Sequence, residues 1–159
     1  MIERVTFQTK FFNYLQTNLV NNPERFIEVR GAKKFIERCL LHSAFKVAFA
    51  TGGWGKSAKL KLEASDIPYL NLPISCSDQF ISRQEILTDA VEQSSRQHDI
   101  SSFSEVIYFG DGVWDLKTTA ELGVRFIGVD SKGNGILKNL GARQIINDFS
   151  EVKSIFESL

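Results

Sequence analysis

Three short apolar runs, each closed by Gly, Thr or Asp and separated by stretches of helical period, constrain this chain most. They are residues 45–50 (FKVAFA), 105–109 (EVIYF) and 124–129 (VRFIGV), with a weaker fourth at 144–146. Each is rich in Val, Ile or Phe and too short to be a helix of ordinary length. Between them lie helical patterns. Residues 32–41 place Phe35, Ile36, Cys39 and Leu40 on one face, and residues 57–64 follow the first run. Residues 82–94 open with Ser82-Arg83-Gln84-Glu85, a capping-box signature. Residues 116–122 follow the second run, and residues 149–159 close the chain. Strands alternating with helices predict an α/β fold, a three-layer sandwich around a mainly parallel sheet. In such folds ligand sites form beyond the carboxyl ends of the strands.

Composition narrows the function. A chain of 159 residues with 43% hydrophobic and 24% charged residues has the make-up of one globular domain with a small appendage. Lys and Arg total 19 and so do Asp and Glu, which gives no support to broad electrostatic binding of nucleic acid or an anionic membrane. No apolar run approaches a membrane span. Two cysteines, Cys39 and Cys76, make no disulfide framework and suit a reducing, cytoplasmic setting. Cys39 belongs to an apolar helix face, Cys76 to a loop, and neither histidine has Cys neighbours at zinc spacing. Thirteen of the 18 aromatic residues are Phe, which predicts a Phe-rich core.

The strand tips carry the candidate chemistry. The first run leads into Thr51-Gly52-Gly53-Trp54-Gly55-Lys56-Ser57. A strand passing through glycines into a helix presents bare backbone N–H groups at a positive dipole end, which suits a phosphate. The second run leads into Gly110-Asp111-Gly112-Val113-Trp114-Asp115. If the turn becomes helical at once, Asp111 and Asp115 lie on neighbouring sides of it and suit a hard cation such as Mg²⁺. The plainer alternative is that Asp115 caps the next helix and Asp111 holds the turn. Arg83 falls in the first turn of a helix, where a cation opposes the dipole; such a local conflict often marks a phosphate or carboxylate site. A solvated surface Arg is the alternative.

The first 30 residues differ. Phe11, Leu15 and Leu19 recur at helical spacing until Asn21-Asn22-Pro23 breaks the pattern. This segment is either a helical lid over the site or an amphipathic helix packed on the core.

In this order, AFATGGWGKSAKLKLEASDI, SRQEILTDAVEQ and VIYFGDGVWDLKTTAELGVRFIGV resemble the haloacid-dehalogenase-like (HAD) hydrolase superfamily across about residues 26–150. The resemblance implies a Rossmannoid core over residues 31–159 with a helical cap-like remnant at 1–30, and Mg²⁺-dependent hydrolysis of a small phosphorylated metabolite. It implies that Thr51 binds the transferring phosphoryl group with help from the Gly52 amide, with Gly53 in the same phosphate-binding turn. Arg83 stands where many members have a lysine, Asp111 looks like the metal-anchoring acid, and Asp115 its supporting partner. Gly31-Ala32 matches the usual lead-in.

One departure is severe. The family's nucleophile sits in an Asp-x-Asp motif on a central strand upstream, and this chain has no Asp-x-Asp; its first Asp is Asp66. Residues 5–10 read as a degenerate strand would put Gln8 there, and an amide cannot replace a carboxylate in covalent phosphoryl transfer. The preferred account is that residues 1–30 are helical and the strand is missing. The chain is then expected to be weak or inactive by itself, as a non-catalytic binding module or a partial hydrolase. Two central strand edges lose their partner, so they are expected to pair with each other, recruit residues 2–7, or pair with another chain, such as a second copy in a homo-oligomer. A different class competes for the same glycines: residues 50–57 fit a relaxed P-loop in which Lys56 contacts phosphates, Ser57 the metal, and residues 106–111 form the second strand. Lys56, Lys59 and Lys61 otherwise form a solvated basic face.

Overall fold

The computed structural model describes residues 2–157 and 159. Helix α1 (Ile2–Asn21) and a 3-10 turn (Pro23–Phe26) precede α2 (Ala32–Leu41). Then follow β1 (Phe49–Thr51), α3 (Gly55–Ala64), β2 (Ile74–Cys76), α4 (Arg83–His98), β3 (Ile107–Gly110), α5 (Val113–Leu122), β4 (Arg125–Val129), α6 (Ile136–Asn139), β5 (Ile145–Ile146) and α7 (Val152–Glu157). Every strand pairing is parallel, in the order β1-β2 and β3-β4-β5. This is the α/β class expected from the alternation.

Layering follows from strand geometry. Consecutive residues of a strand point to opposite faces. On β3, Tyr108 meets Asp115 of α5, while its neighbour Phe109 packs against Phe35 of α2. Helices α5 and α2 therefore cover opposite faces. The main core lies on the α2 side, where Phe35, Cys39, Val129, Phe149 and Ile155 are buried. Phe35 sits 5.1 Å from Phe109, 5.0 Å from Phe149 and 5.5 Å from Phe156, centroid to centroid. Burial pushes the Cys39 thiol up to about 11, consistent with a packing role.

The sheet itself departs from expectation. β1 and β3 belong to separate sheets and do not pair with each other. Residues 2–7 are helical, so they supply no strand either. Among the described residues, neither of the two expected pairings within the chain occurs. The preference for helix over residues 2–7 has a physical reason: Phe7 and Phe11 pack edge-on against Trp54 at 5.8 and 5.5 Å, and Leu15 is buried. Those contacts hold only at helical spacing. The degenerate-strand reading with Gln8 at its tip is thereby corrected. The first strand is also shorter than the apolar run, because its partner β2 spans only three residues; Phe45 and Val47 pack into the core ahead of it.

Two local features are testable. Ser82 caps α4: its side chain accepts from the Glu85 N–H and the Glu85 carboxylate accepts from the Ser82 N–H at 3.1 Å. Ser82→Ala is expected to lower stability by about 1 kcal/mol, read as a fall in urea midpoint at unchanged slope. Gly31 caps α2 at φ +80°, and a Cβ there would lie 2.6 Å from the Phe149 carbonyl carbon. Gly31→Ala combines left-handed strain with a backbone clash, so a loss of about 2–3 kcal/mol is expected in the same titration.

Candidate functional site

Beyond the carboxyl end of β1, the chain passes through Gly52, Gly53 and Trp54 before α3 begins. The Thr51 hydroxyl accepts from the Gly53 N–H at 3.1 Å, which folds the turn back over the strand tip. The first amide of α3, on Gly55, donates to Asp78 at 3.1 Å. That donor is therefore already engaged by the chain's own carboxylate.

Arg83 rises from the first turn of α4 and lies across both strand tips. One amino group donates to Asp115 at 2.8 Å. The guanidinium also lies 5.2 Å from the Trp114 ring centre. On the other side, a Cβ on Gly52 would come within 2.7 Å of the guanidinium, so glycine is what lets the arginine approach the β1 tip. The cation that opposes the α4 dipole is thus held by a buried partner on α5, which explains how the local conflict is tolerated.

Asp115 is buried in the first turn of α5. One carboxylate oxygen accepts from Arg83 and from the Tyr108 hydroxyl at 3.3 Å; the other accepts from the Gly112 N–H at 3.0 Å. Burial pushes its carboxyl above the ordinary carboxylate value, while the Gly112 N–H, Arg83 and Tyr108 pull the other way. Tyr108 is likewise pushed up, mainly by burial and then by the charge of Asp115. Ala50, Thr51, Gly52, Arg83, Tyr108 and Asp115 line one small cavity with room for about one water.

Thr51, Gly52, Arg83 and Asp115 are therefore together at this cavity. Asp111 is not among its lining residues: it is exposed, before the Gly112 cap, and helix α5 starts only at Val113. The turn does not become helical at once, so Asp111 and Asp115 do not share a helical turn. Gly53 is exposed, with its N–H turned to Thr51. Tyr108 and Trp114 belong to the site and were missed by sequence reasoning. Tyr108 had a usable signal: it lies two residues before Gly110 in the same strand, hence on one face with it.

A metal finds few ligands here. Among the described residues no group of three or more His, Cys, Asp or Glu could hold one. Both oxygens of Asp115 already accept hydrogen bonds, so Asp115 fits a capping and pairing role. Asp111 offers one exposed carboxylate. That set does not fit an ion held by the protein alone, but Mg²⁺ needs only one or two carboxylates when a phosphate and waters complete its shell.

Lys56 points the P-loop reading elsewhere. With Lys59, Tyr69, Asn71, Cys76 and Asp78 it lines a separate open cavity of about 460 Å³ between α3 and the β2 side. Ser57 is buried. Neither residue is brought to the Thr51–Arg83 cavity.

No protein-family model matches the sequence, and no curated protein is significantly similar to it. Among solved structures, a hydrolase from Pseudomonas syringae shares the fold with a TM-score of 0.66 at 19% identity, over 84% of this chain. This chain spans 61% of that hydrolase chain. No helix among the described residues is long and apolar enough to cross a membrane.

Proposed function

We propose that this chain is a haloacid-dehalogenase-like core that binds a small phosphorylated molecule at the tips of β1 and β3, with little or no hydrolysis by the chain alone. The observation that carries this reading is Arg83, placed across one cavity with Thr51 and Gly52 on one side and Asp115 on the other. A phosphoryl oxygen at the cavity mouth would take the Thr51 hydroxyl and the Gly52 N–H as donors, with the guanidinium as counter-charge. Asp111 and Asp115 add negative charge beside the dianion. A cation arriving with the phosphate and held by Asp111 would offset that repulsion and supply Lewis-acid polarisation of the phosphoryl group.

Hydrolysis through a covalent intermediate needs a carboxylate free to attack. Among the described residues the carboxylate lining the cavity is that of Asp115, and it is engaged by three donors. This supports binding over turnover. The likeness to a solved hydrolase supports the ancestry of the core.

The test is calorimetric titration with p-nitrophenyl phosphate and Mg²⁺, alongside a turnover assay. Arg83→Gln is expected to weaken binding about 10–100-fold, the value of one or two charge-assisted hydrogen bonds. Lys56→Ala is expected to leave it unchanged; loss of binding there would favour a nucleotide-binding loop. Turnover that vanishes in Asp111→Asn would show that the chain is an active hydrolase.

A further inference from the structure

The basic face of α3 plays no part in the strand-tip site. Lys56 and Lys59 stand three positions apart on one side of the helix, and both line the open cavity of about 460 Å³, whereas Lys61 does not. That volume lies in the range of small-molecule sites. Ile74 and Cys76 of β2 also line it. β2 pairs with β1 and, among the described residues, has no strand on its other side. No residue lines both this cavity and the one at Arg83.

The walls of the cavity are held by the chain's own bonds. The Leu72 N–H donates to the Tyr69 carbonyl at 3.1 Å, and the Asn71 carbonyl accepts from Gln97 of α4 at 2.9 Å. Asn71 closes this turn at φ +65°, a left-handed conformation that Asn tolerates. At the start of α3, the Gly55 N–H donates to Asp78 at 3.1 Å. The lining is apolar on one side and charged on the other. Tyr69, Leu70 and Leu72 supply aromatic and aliphatic surface, and Leu70 is exposed. Lys56 follows directly on Gly55, and Lys59 stands about 4.5 Å further along the helix. Among the described residues neither lysine pairs with a carboxylate. Burial first, and then Asp78, pushes the Cys76 thiol up, so it adds no negative charge at neutral pH.

Charge and donors together select the ligand. Two lysines and one aspartate leave the lining with one net positive charge, which a monoanion balances. A phosphate dianion would meet the Asp78 carboxylate, and the α3 amide it would seek is already given to that same carboxylate. We propose that this cavity binds a small monocarboxylic acid with an aromatic or branched apolar body. Its carboxylate lies on Lys56 and Lys59, and its body covers Tyr69, Leu70 and Leu72. The site is independent of the phosphate reading, and its test requires no phosphorylated ligand to bind.

The test is calorimetric titration of the full chain, at neutral pH and low salt, with phenylacetate, 3-phenylpropanoate and 4-methylpentanoate. At least one is expected to bind with a Kd of about 1 mM or tighter. The matching uncharged amide is expected to bind about 10-fold more weakly, and so is the acid to Lys56→Gln or Lys59→Gln, because a charge-assisted bond is lost. Both lysines are exposed, so these variants keep the fold. Location is read from Cys76, which lines the cavity, against the buried Cys39. The acid at about ten times its Kd is expected to slow the reaction of Cys76 with N-ethylmaleimide about 10-fold, and p-nitrophenyl phosphate is expected to leave it unchanged. Four results would each overturn the proposal: no binding of any of the three acids, an amide that binds as well as its acid, binding unchanged in both lysine variants, or binding that leaves Cys76 as reactive as before.

Discussion

Replacing Asp115 by alanine is expected to destabilise the fold by about 3–5 kcal/mol, the range for removing one member of a buried, hydrogen-bonded ion pair. Asp115 is 5% exposed and its side chain answers three donors on three elements: Arg83 of α4, Tyr108 of β3 and the Gly112 N–H that opens α5. Alanine leaves all three without that acceptor. Arg83 is about one-third exposed and can turn partly to water, which places the expected loss toward the lower end. Asp115→Asn keeps an acceptor for the Gly112 N–H and removes only the charge, so about half the loss is expected. Urea titrations of both variants, with unchanged slope, check this ordering. An asparagine variant as unstable as the alanine one would show that the ion pair, and not the cap, dominates.

Phe35→Ala is expected to be as damaging, at about 3–5 kcal/mol, by the cavity it leaves. Phe35 is where α2 meets β3 through Phe109, the segment before α7 through Phe149, and α7 itself through Phe156. No neighbouring ring can move into the space without leaving another contact. The measurement is again the urea midpoint, joined to near-ultraviolet circular dichroism, whose aromatic signal should weaken because packing around three rings is lost. Against a total stability of about 5–15 kcal/mol, either substitution removes a large fraction.

The two positions differ in how readable they were. Phe35 and Cys39 repeat at helical spacing within one segment, so their shared burial is legible from the chain alone. The Ser82–Glu85 capping box is equally local and fixes the start of α4 correctly. The tie between Arg83 and Asp115 spans 32 positions, and no local pattern encodes it. Sequence reasoning therefore found both residues but read the arginine as a phosphate or carboxylate ligand and the aspartate as a metal partner or helix cap, without joining the two. β2 escaped notice for a related reason: Ile74-Ser75-Cys76 is three residues long, with a polar residue at its centre, and Ser75 is nevertheless buried. The missing Asp-x-Asp strand led to the expectation that the edges of β1 and β3 pair with each other, with residues 2–7 or with another chain; among the described residues neither of the first two pairings occurs, and residues 2–7 make their contacts as a helix.

The chain has two tryptophans, and they stand one at each strand tip. Trp54 lies under the rings of Phe7 and Phe11, and Trp114 beneath the Arg83 guanidinium. Intrinsic fluorescence is therefore a label-free reporter of this one region. Emission from Trp54 follows how α1 sits over the β1 turn, and quenching of Trp114 follows the arginine whenever it swings toward an incoming anion.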